Sequence, residues 1–247
     1  MTKVEDVRLS DLQKRLLHFV MAKGAVRVNE CIIYIQTLIS EFNDNILETW
    51  IADMNALLGL FSFRLGRRYF DEEDADYIVF WNTLDDSMYR DCFSFSGSEK
   101  LAMTRIFRIF QDSESLGVSS IELIQETWNK LHAKSSAQMS KTQIQNLIEK
   151  LLSDGWLFKR ENGELTFGIR AKTDINESAS NLQADLFKIC LLCKQIITVS
   201  NVLFCKNQNC RSFFHKKCFQ KYSSFSRKGD IGSSISACLK CDASLHE

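Results

Sequence analysis

The sequence predicts an α+β protein in which tandem winged-helix domains precede a C-terminal domain that binds two zinc ions. Twice along the 247-residue chain, apolar residues at helical spacing give way to a pair of strand-like runs. In addition, seven of the nine cysteines lie in the last 58 residues. The predicted divisions are winged helix A over 1–90, winged helix B over 91–172, a linker helix over 173–187 and a zinc domain over 188–247.

Three helices and a hairpin, in the order of a winged helix, are predicted for the first domain. Apolar residues recur at helical spacing from Leu12, either Ser10 or Asp11 can cap that helix, and Gly24 can end it. The remaining predicted elements are helices over 28–40 and from residue 43 or 44, and strands over 60–65 and 77–81. The acidic turn 71–74 separates the two strands.

The second domain repeats this order. Its predicted elements are helices over 101–110, from 119 and over 140–152, and strands over 156–160 and 165–170. Ser119 stands three residues before Glu122, which is the spacing of a capping box. Asn162-Gly163 lies between two alternating apolar runs, a strong short-range signal for a hairpin. The polar stretch that begins at Ala171 is interpreted as a linker.

Composition and charge are those of a soluble, intracellular protein. Charged residues make up 25% of the chain, no apolar run approaches the roughly 20 residues of a membrane helix, and no signal peptide is recognisable. From Lys188 onward there are ten Lys/Arg and three Asp/Glu, which resembles a basic, nucleic-acid-binding tail. Seven thiolates and two Zn²⁺ ions would remove much of that positive charge, so the tail is weak support for nucleic-acid binding.

The spacing of the cysteines predicts metal rather than disulfides. The pattern is C-x2-C-x11-C-x4-C-x4-H-x2-C-x19-C-x2-C, which supplies eight donors in four pairs. Seven Cys and one His are typical of closed, structural zinc sites, which stabilise domains too small for a large core. Cys31 and Cys92 lie outside the cluster and are interpreted as buried, reduced thiols.

Two pairings of the donors are possible. Sequential pairs would form tandem zinc knuckles, whereas interleaved pairs would form a cross-brace, which the 19-residue gap and the single histidine favour. The cross-brace assigns one zinc to Cys190, Cys193, His215 and Cys218, and the other to Cys205, Cys210, Cys238 and Cys241. Three other histidines have no such neighbours and are not expected to bind metal: His18, His132 and His246.

Two winged helices followed by a cross-brace of four Cys, one His and three Cys resemble the first non-SMC element family. This family supplies the RING-like subunit of the SMC five-six chromosome-maintenance complex. The resemblance covers nearly the whole chain and implies a nuclear, chromosome-bound subunit that acts in DNA repair and recombination. It also implies binding to a MAGE-like winged-helix subunit and a kleisin, and E3 ubiquitin-protein ligase activity stimulated by the MAGE-like partner.

By the same resemblance, Leu192 and Leu239 on the two zinc loops would contact a ubiquitin-conjugating enzyme. Leu239 stands where RING domains commonly have proline, and Asp242 follows the last ligand, where active RING domains often have arginine. The alternative is that both leucines only cover zinc-bound sulfurs, in which case the protein is a non-catalytic interaction scaffold. No catalytic side chain is predicted in either case.

A further alternative is a chromatin or DNA reader. Ser236 occupies the position where histone-reading PHD fingers usually have tryptophan. In the helix over 140–152, Lys141 and Lys150 are accompanied by Glu149, and the wings also mix basic and acidic residues. Direct sequence-specific DNA binding is therefore not expected.

Overall fold

The computed structural model describes residues 8–83, 95–113, 116–133, 139–178, 187–198, 202–207, 209–210, 212–226 and 237–246. Within these ranges the chain is a mixed α+β structure with three sheets, each of three antiparallel strands. The described part of the chain contains no helix with the length and hydropathy needed to cross a membrane.

The first unit consists of helices packed on a twisted hairpin. Its elements are α1 (Asp11–Lys23), β1 (Ala25–Arg27), α2 (Val28–Gln36), α3 (Asp44–Leu58), a 3-10 turn (Gly59–Phe61), β2 (Phe63–Phe70) and β3 (Ala75–Asn82). β3 is the central strand, with β1 and β2 on either side. The short strand β1 was not predicted, because three residues cannot display an alternating pattern. The predicted acidic turn 71–74 does lie between β2 and β3.

The ends of these elements follow from local chemistry. The Ser10 hydroxyl accepts from the Gln13 N–H, and the Gln13 side chain accepts in return from the Ser10 N–H. Gly24 ends α1 with a φ of 74°, a conformation that favours glycine. The prediction that a strand starts at residue 60 was wrong. The 3-10 turn comes first, and Ser62 adopts a φ of 58° before β2 begins.

The second unit repeats the arrangement. Its elements are α4 (Gly97–Asp112), β4 (Gly117–Ser119), α5 (Ser120–His132), α6 (Lys141–Ser153), β5 (Leu157–Lys159) and β6 (Glu164–Phe167). β6 is the central strand, and Asn162-Gly163 forms the predicted turn between β5 and β6. Phe110 and Phe167 are fully buried and meet edge to face at 5.1 Å between ring centroids. Ser119 caps α5 by accepting from the Glu122 N–H.

Helix α7 (Ile169–Ser178) replaces the end of a predicted strand and the start of a predicted linker. The chain leaves β6 at Gly168, where a Cβ would lie 2.3 Å from the Gly155 carbonyl oxygen, so glycine is required there. The helix looks polar in sequence, yet Ala171 and Ile175 pack into the core of the second unit. The division predicted at 172 therefore falls inside a helix. The linker helix predicted over 173–187 lies mostly outside the described residues.

The last quarter of the chain forms a small third unit. Its elements are β7 (Val202–Cys205), β8 (Phe213–His215), α8 (Lys216–Ser226) and β9 (Leu245–His246), with β7 in the centre of the sheet. Its own core is small and is built around Phe214 and Phe219 together with cysteines. Phe187 and Ile196 belong instead to the core of the second unit, so the third unit is packed directly against it.

Candidate metal centres

The eight predicted donors form two separate groups. One contains Cys190, Cys193, His215 and Cys218, and the other contains Cys205, Cys210, Cys238 and Cys241. Within each group, all four candidate ligand atoms lie within 4.8 Å of one another. The interleaved arrangement is therefore the one adopted, and sequential pairs would have to join atoms from different groups. This grouping depends on the path of the chain between the pairs.

Two turns of the same geometry present the Cys-x2-Cys pairs. The Lys194 N–H donates to the Cys190 carbonyl at 2.9 Å, and the Asp242 N–H donates to the Cys238 carbonyl at the same distance. Lys194 and Asp242 both have positive φ, 60° and 58°. Each follows the second cysteine of its pair, and the tight turn that it closes brings the two sulfurs to one point.

The interatomic distances fit zinc. Four sulfurs about 2.3 Å from a tetrahedral zinc would be roughly 3.8 Å apart, and a sulfur and a nitrogen somewhat less. Cys205 Sγ lies 3.4 Å from Cys241 Sγ, and Cys210 Sγ lies 3.7 Å from Cys238 Sγ. In the first group, His215 Nδ1 lies 3.3 Å from the Cys193 sulfur and 3.7 Å from the Cys218 sulfur. A soft, S-rich donor set of this shape suits zinc.

Neighbouring groups favour the thiolate form of one cysteine in each group, whereas burial and neighbouring thiols raise the pKa of Cys193 and Cys205. Hydrogen bonds from Cys193 and Cys218 lower the pKa of Cys190, and the backbone N–H of His215 lies 3.4 Å from the Cys190 sulfur. In the second group, the Ser212 hydroxyl lies 3.1 Å from Cys210 Sγ and lowers the pKa of Cys210 to about 7.

The tip of the first hairpin reaches the first group of donors. Asp71 lies at the start of the turn between β2 and β3, and its side chain is only 2% exposed. Its carboxylate forms an ion pair with Lys172 of α7, accepts from the Thr198 N–H at 3.0 Å, and lies 3.4 Å from His215 Nε2. All three units of the fold thus meet at one buried carboxylate.

Two further ion pairs surround this junction. Arg160 of the second hairpin binds both oxygens of Glu72 and also donates to the Thr198 carbonyl at 2.8 Å. Lys217 of α8 pairs with Asp74 at 2.7 Å, but the Asp74 side chain is 69% exposed. Sequence patterns did not predict the junction, because its members are far apart in the chain and an acidic turn is normally solvated.

The remaining predicted site residues lie as follows. Leu192 and Leu239 are half-buried and pack with the cysteines of the third unit, so part of each side chain stays at the surface. His18, His132 and His246 are exposed, and Cys31 is buried, where burial raises the pKa of its thiol to about 12. Cys92 lies outside the described residues. Among the described residues, no further group of three or more candidate metal ligands was found.

The sequence of the chain matches a known family. Residues 13–175 match the family model described as the Nse1 non-SMC component of the SMC5-6 complex. This range is more than half of the 247-residue chain. The chain belongs to this family. The matched range covers the first and second units and ends before the first metal-site cysteine.

Curated relatives carry the name non-structural maintenance of chromosomes element 1 homolog. The Xenopus laevis protein is 21% identical over 71% of this chain, and the alignment spans 62% of that relative's length. The Bos taurus protein is 20% identical over 87% of this chain and 79% of its own length. The Xenopus tropicalis protein is 21% identical over 84% of this chain and 73% of its own length.

A solved structure shares the fold of this family member. A chain of the Nse1-Nse3-Nse4 complex superposes with a TM-score of 0.74 at 20% sequence identity. The superposition covers 97% of this chain and 99% of that chain, so it includes the third unit. The fold is therefore shared over the candidate metal centres as well as over the family-matched range.

Basic residues of both hairpins form intramolecular ion pairs. Arg67 contacts Asp44 and Glu48, while Arg68 pairs with Glu177 and stacks on the Trp81 ring at 4.5 Å. Binding to DNA phosphates would have to displace such pairs. We therefore expect the isolated protein to bind duplex DNA weakly, with an affinity that depends little on salt. Fluorescence anisotropy between about 50 and 200 mM salt tests this. A steep salt dependence would contradict it.

Proposed function

We propose that this family member is a zinc-stabilised subunit of an SMC5-6 complex, with two winged helices that bind partner proteins. The helix–strand–helix–helix–hairpin order of the first and second units supports the winged-helix assignment. The two groups of four donors support the proposal of two structural zinc ions, one in each group. Both groups are closed by four protein ligands, which suits a structural rather than a catalytic metal.

The partners follow from the relatives. The solved structure that shares this fold is a complex of Nse1, Nse3 and Nse4. By analogy, the partners of this chain would be the corresponding MAGE-like and kleisin subunits. A component of a chromosome-maintenance complex would work on chromosomes in the nucleus and act in DNA repair and recombination. Co-expression with both partner subunits, followed by size-exclusion chromatography, tests the assembly. Elution of this chain alone would contradict it.

The proposed activity is that of a RING-type E3 ubiquitin ligase. Such ligases form no covalent intermediate and act by holding a ubiquitin-charged conjugating enzyme in a reactive geometry, so their catalysis is positioning. The observation that carries the proposal is the pair of closed metal groups, each with a half-buried leucine beside its Cys-x2-Cys turn. Leu192 and Leu239 would form the contact with the conjugating enzyme.

We expect the protein, bound to its MAGE-like partner, to accelerate discharge of ubiquitin from a charged conjugating enzyme. Leu192→Ala should lower that rate about tenfold or more, because displacing reactants by even 1 Å can cost two orders of magnitude. Leu191→Ala is the matched control, since Leu191 packs in the same cluster one residue away. Both variants must first be shown to retain two zinc ions.

The same assay tests the scaffold alternative. The ligase proposal would be contradicted if no conjugating enzyme in a panel discharged ubiquitin faster, with or without the partner. Equal loss in Leu191→Ala and Leu192→Ala would assign both leucines to packing alone. Under either outcome the protein would be an interaction subunit whose zinc only stabilises the fold.

A further inference from the structure

Asp71 lies in a hairpin turn, but the turn itself does not require a carboxylate at this position. Turn residues usually keep their charges in water, yet the Asp71 side chain is 2% exposed and lies among residues of the second and third units. Burying a carboxylate is costly unless it is paired, so the position calls for an explanation beyond the turn itself. Lys172 and the Thr198 N–H supply two partners, and the third contact is a candidate metal ligand, His215.

The two nitrogens of His215 face different groups. Nδ1 faces the sulfurs of Cys193 and Cys218, at 3.3 and 3.7 Å, and is the atom placed to bind metal. Nε2 is buried and has no hydrogen bond of ordinary geometry among the described residues, but Asp71 Oδ2 lies 3.4 Å from it. A neutral ring that binds metal through Nδ1 carries its proton on Nε2, which then needs an acceptor.

Metal-binding histidines usually donate their second N–H to a carboxylate or carbonyl, which fixes the ring orientation and strengthens the bond to the metal. We propose that Asp71 is this positioning residue for the first zinc, and that it acts from a different unit of the fold. The inference rests on the proposed two-zinc module. It implies that zinc binding at the first site and docking of the third unit on the first hairpin reinforce each other.

The second metal group provides an internal control. It consists of Cys205, Cys210, Cys238 and Cys241 and contains no histidine that Asp71 could orient. Substitution of a residue that merely holds the units together would change the release of both zinc ions alike. A residue that orients His215 would affect the first zinc alone.

The test measures zinc release from the intact chain into excess of a chromophoric chelator. The wild-type protein must first show two zinc ions by native mass spectrometry, since fewer would contradict the zinc proposal itself. Asp71→Asn should then speed the release of one zinc by about 10- to 100-fold and leave the other unchanged. Cobalt-loaded protein identifies the released ion, because sites with three sulfurs and one nitrogen absorb differently from sites with four sulfurs.

The matched control is Asp74→Asn, in the same turn. Asp74 also pairs with the third unit, through Lys217, but does not touch a candidate ligand. Its substitution should leave both release rates unchanged. Since Asp71→Asn leaves Lys172 without its carboxylate, the comparison is repeated in a Lys172→Met background.

A double-mutant cycle with His215 tests whether the effect of Asp71 requires the histidine ring. In a His215→Cys chain the first site keeps four ligands but has no ring to orient, so adding Asp71→Asn should change zinc release little. The same acceleration in that background would overturn the proposal. Unchanged zinc release in Asp71→Asn would overturn it too. So would equal acceleration of release at both sites, which is also the result expected from a variant that does not fold.

Discussion

Removal of zinc is expected to unfold the last quarter of the chain and to leave the helices of the first and second units folded. The third unit has a small core around Phe214 and Phe219, and much of that core consists of the cysteines themselves. Structural zinc in small domains contributes on the order of 10–16 kcal/mol of apparent binding free energy, so such a core would not hold without it. Hydrogen exchange after chelation should show lost protection in β7, β8 and α8 and retained protection in α1 and α6.

Adding zinc back should restore the protection, and native mass spectrometry should count two ions per chain. A third unit that keeps its protected amides after complete chelation would contradict the structural role. The contacts of Asp71 with Thr198 and His215 should be lost together with the metal. Exchange in the hairpin turn 71–74 should therefore rise as well, although β2 and β3 remain paired.

Lys172→Met is expected to cause a large loss in the free energy of unfolding. The Lys172 side chain is 1% exposed and its ammonium pairs with Asp71, whose side chain is 2% exposed. Removing one member of a buried ion pair leaves the other charge unpaired and typically costs about 3–5 kcal/mol in free energy of unfolding. Urea denaturation of the zinc-loaded protein measures this cost. Lys217→Met is the control, because its exposed pair with Asp74 should contribute less than about 1 kcal/mol.

The pH dependence of this effect has a defined sign. Burial would raise the pKa of Asp71, but the Lys172 ammonium and the His215 ring outweigh it and hold that pKa well below the ordinary value of 3.8. The stabilisation is therefore fully present above the unfolded pKa and is lost only as the pH falls below it. In wild type the pair should therefore contribute a constant stabilisation between about pH 5 and 8, whereas in Lys172→Met burial without the ammonium raises the pKa of Asp71, so protonation should narrow the gap in free energy of unfolding as the pH falls. A gap that widens as the pH falls would contradict the assignment.

The double variant Asp71→Asn/Lys172→Met completes the cycle. It leaves neither charge buried alone, so it should regain much of the stability that Lys172→Met loses. Additive losses would mean that the two side chains act independently, in spite of their contact. Both outcomes are read from the same denaturation curves.

Local chemistry in the sequence determined most of the elements. Ser10, one of the two predicted caps of the first helix, does cap it, and Asn162-Gly163 forms its hairpin. These features depend on residues within four positions of one another, so a linear pattern contains them. The same holds for the Cys-x2-Cys pairs, whose tight turns are local. Short strands such as β1 were missed because their hydrogen-bond partners are distant in sequence.

Which side chains are buried by residues distant in sequence could be seen only in the tertiary structure. Phe61 resembles a core aromatic in sequence, but it lies on the 3-10 turn and is 71% exposed. Lys172 looked like part of a polar linker, although it is among the most deeply buried side chains described. The spacing of the donors left two pairings open, and only the path of the chain through β7, β8 and α8 selected one. Asp71 meets His215 for the same reason, since desolvation and charge pairing act through space and leave no signature at a fixed sequence spacing.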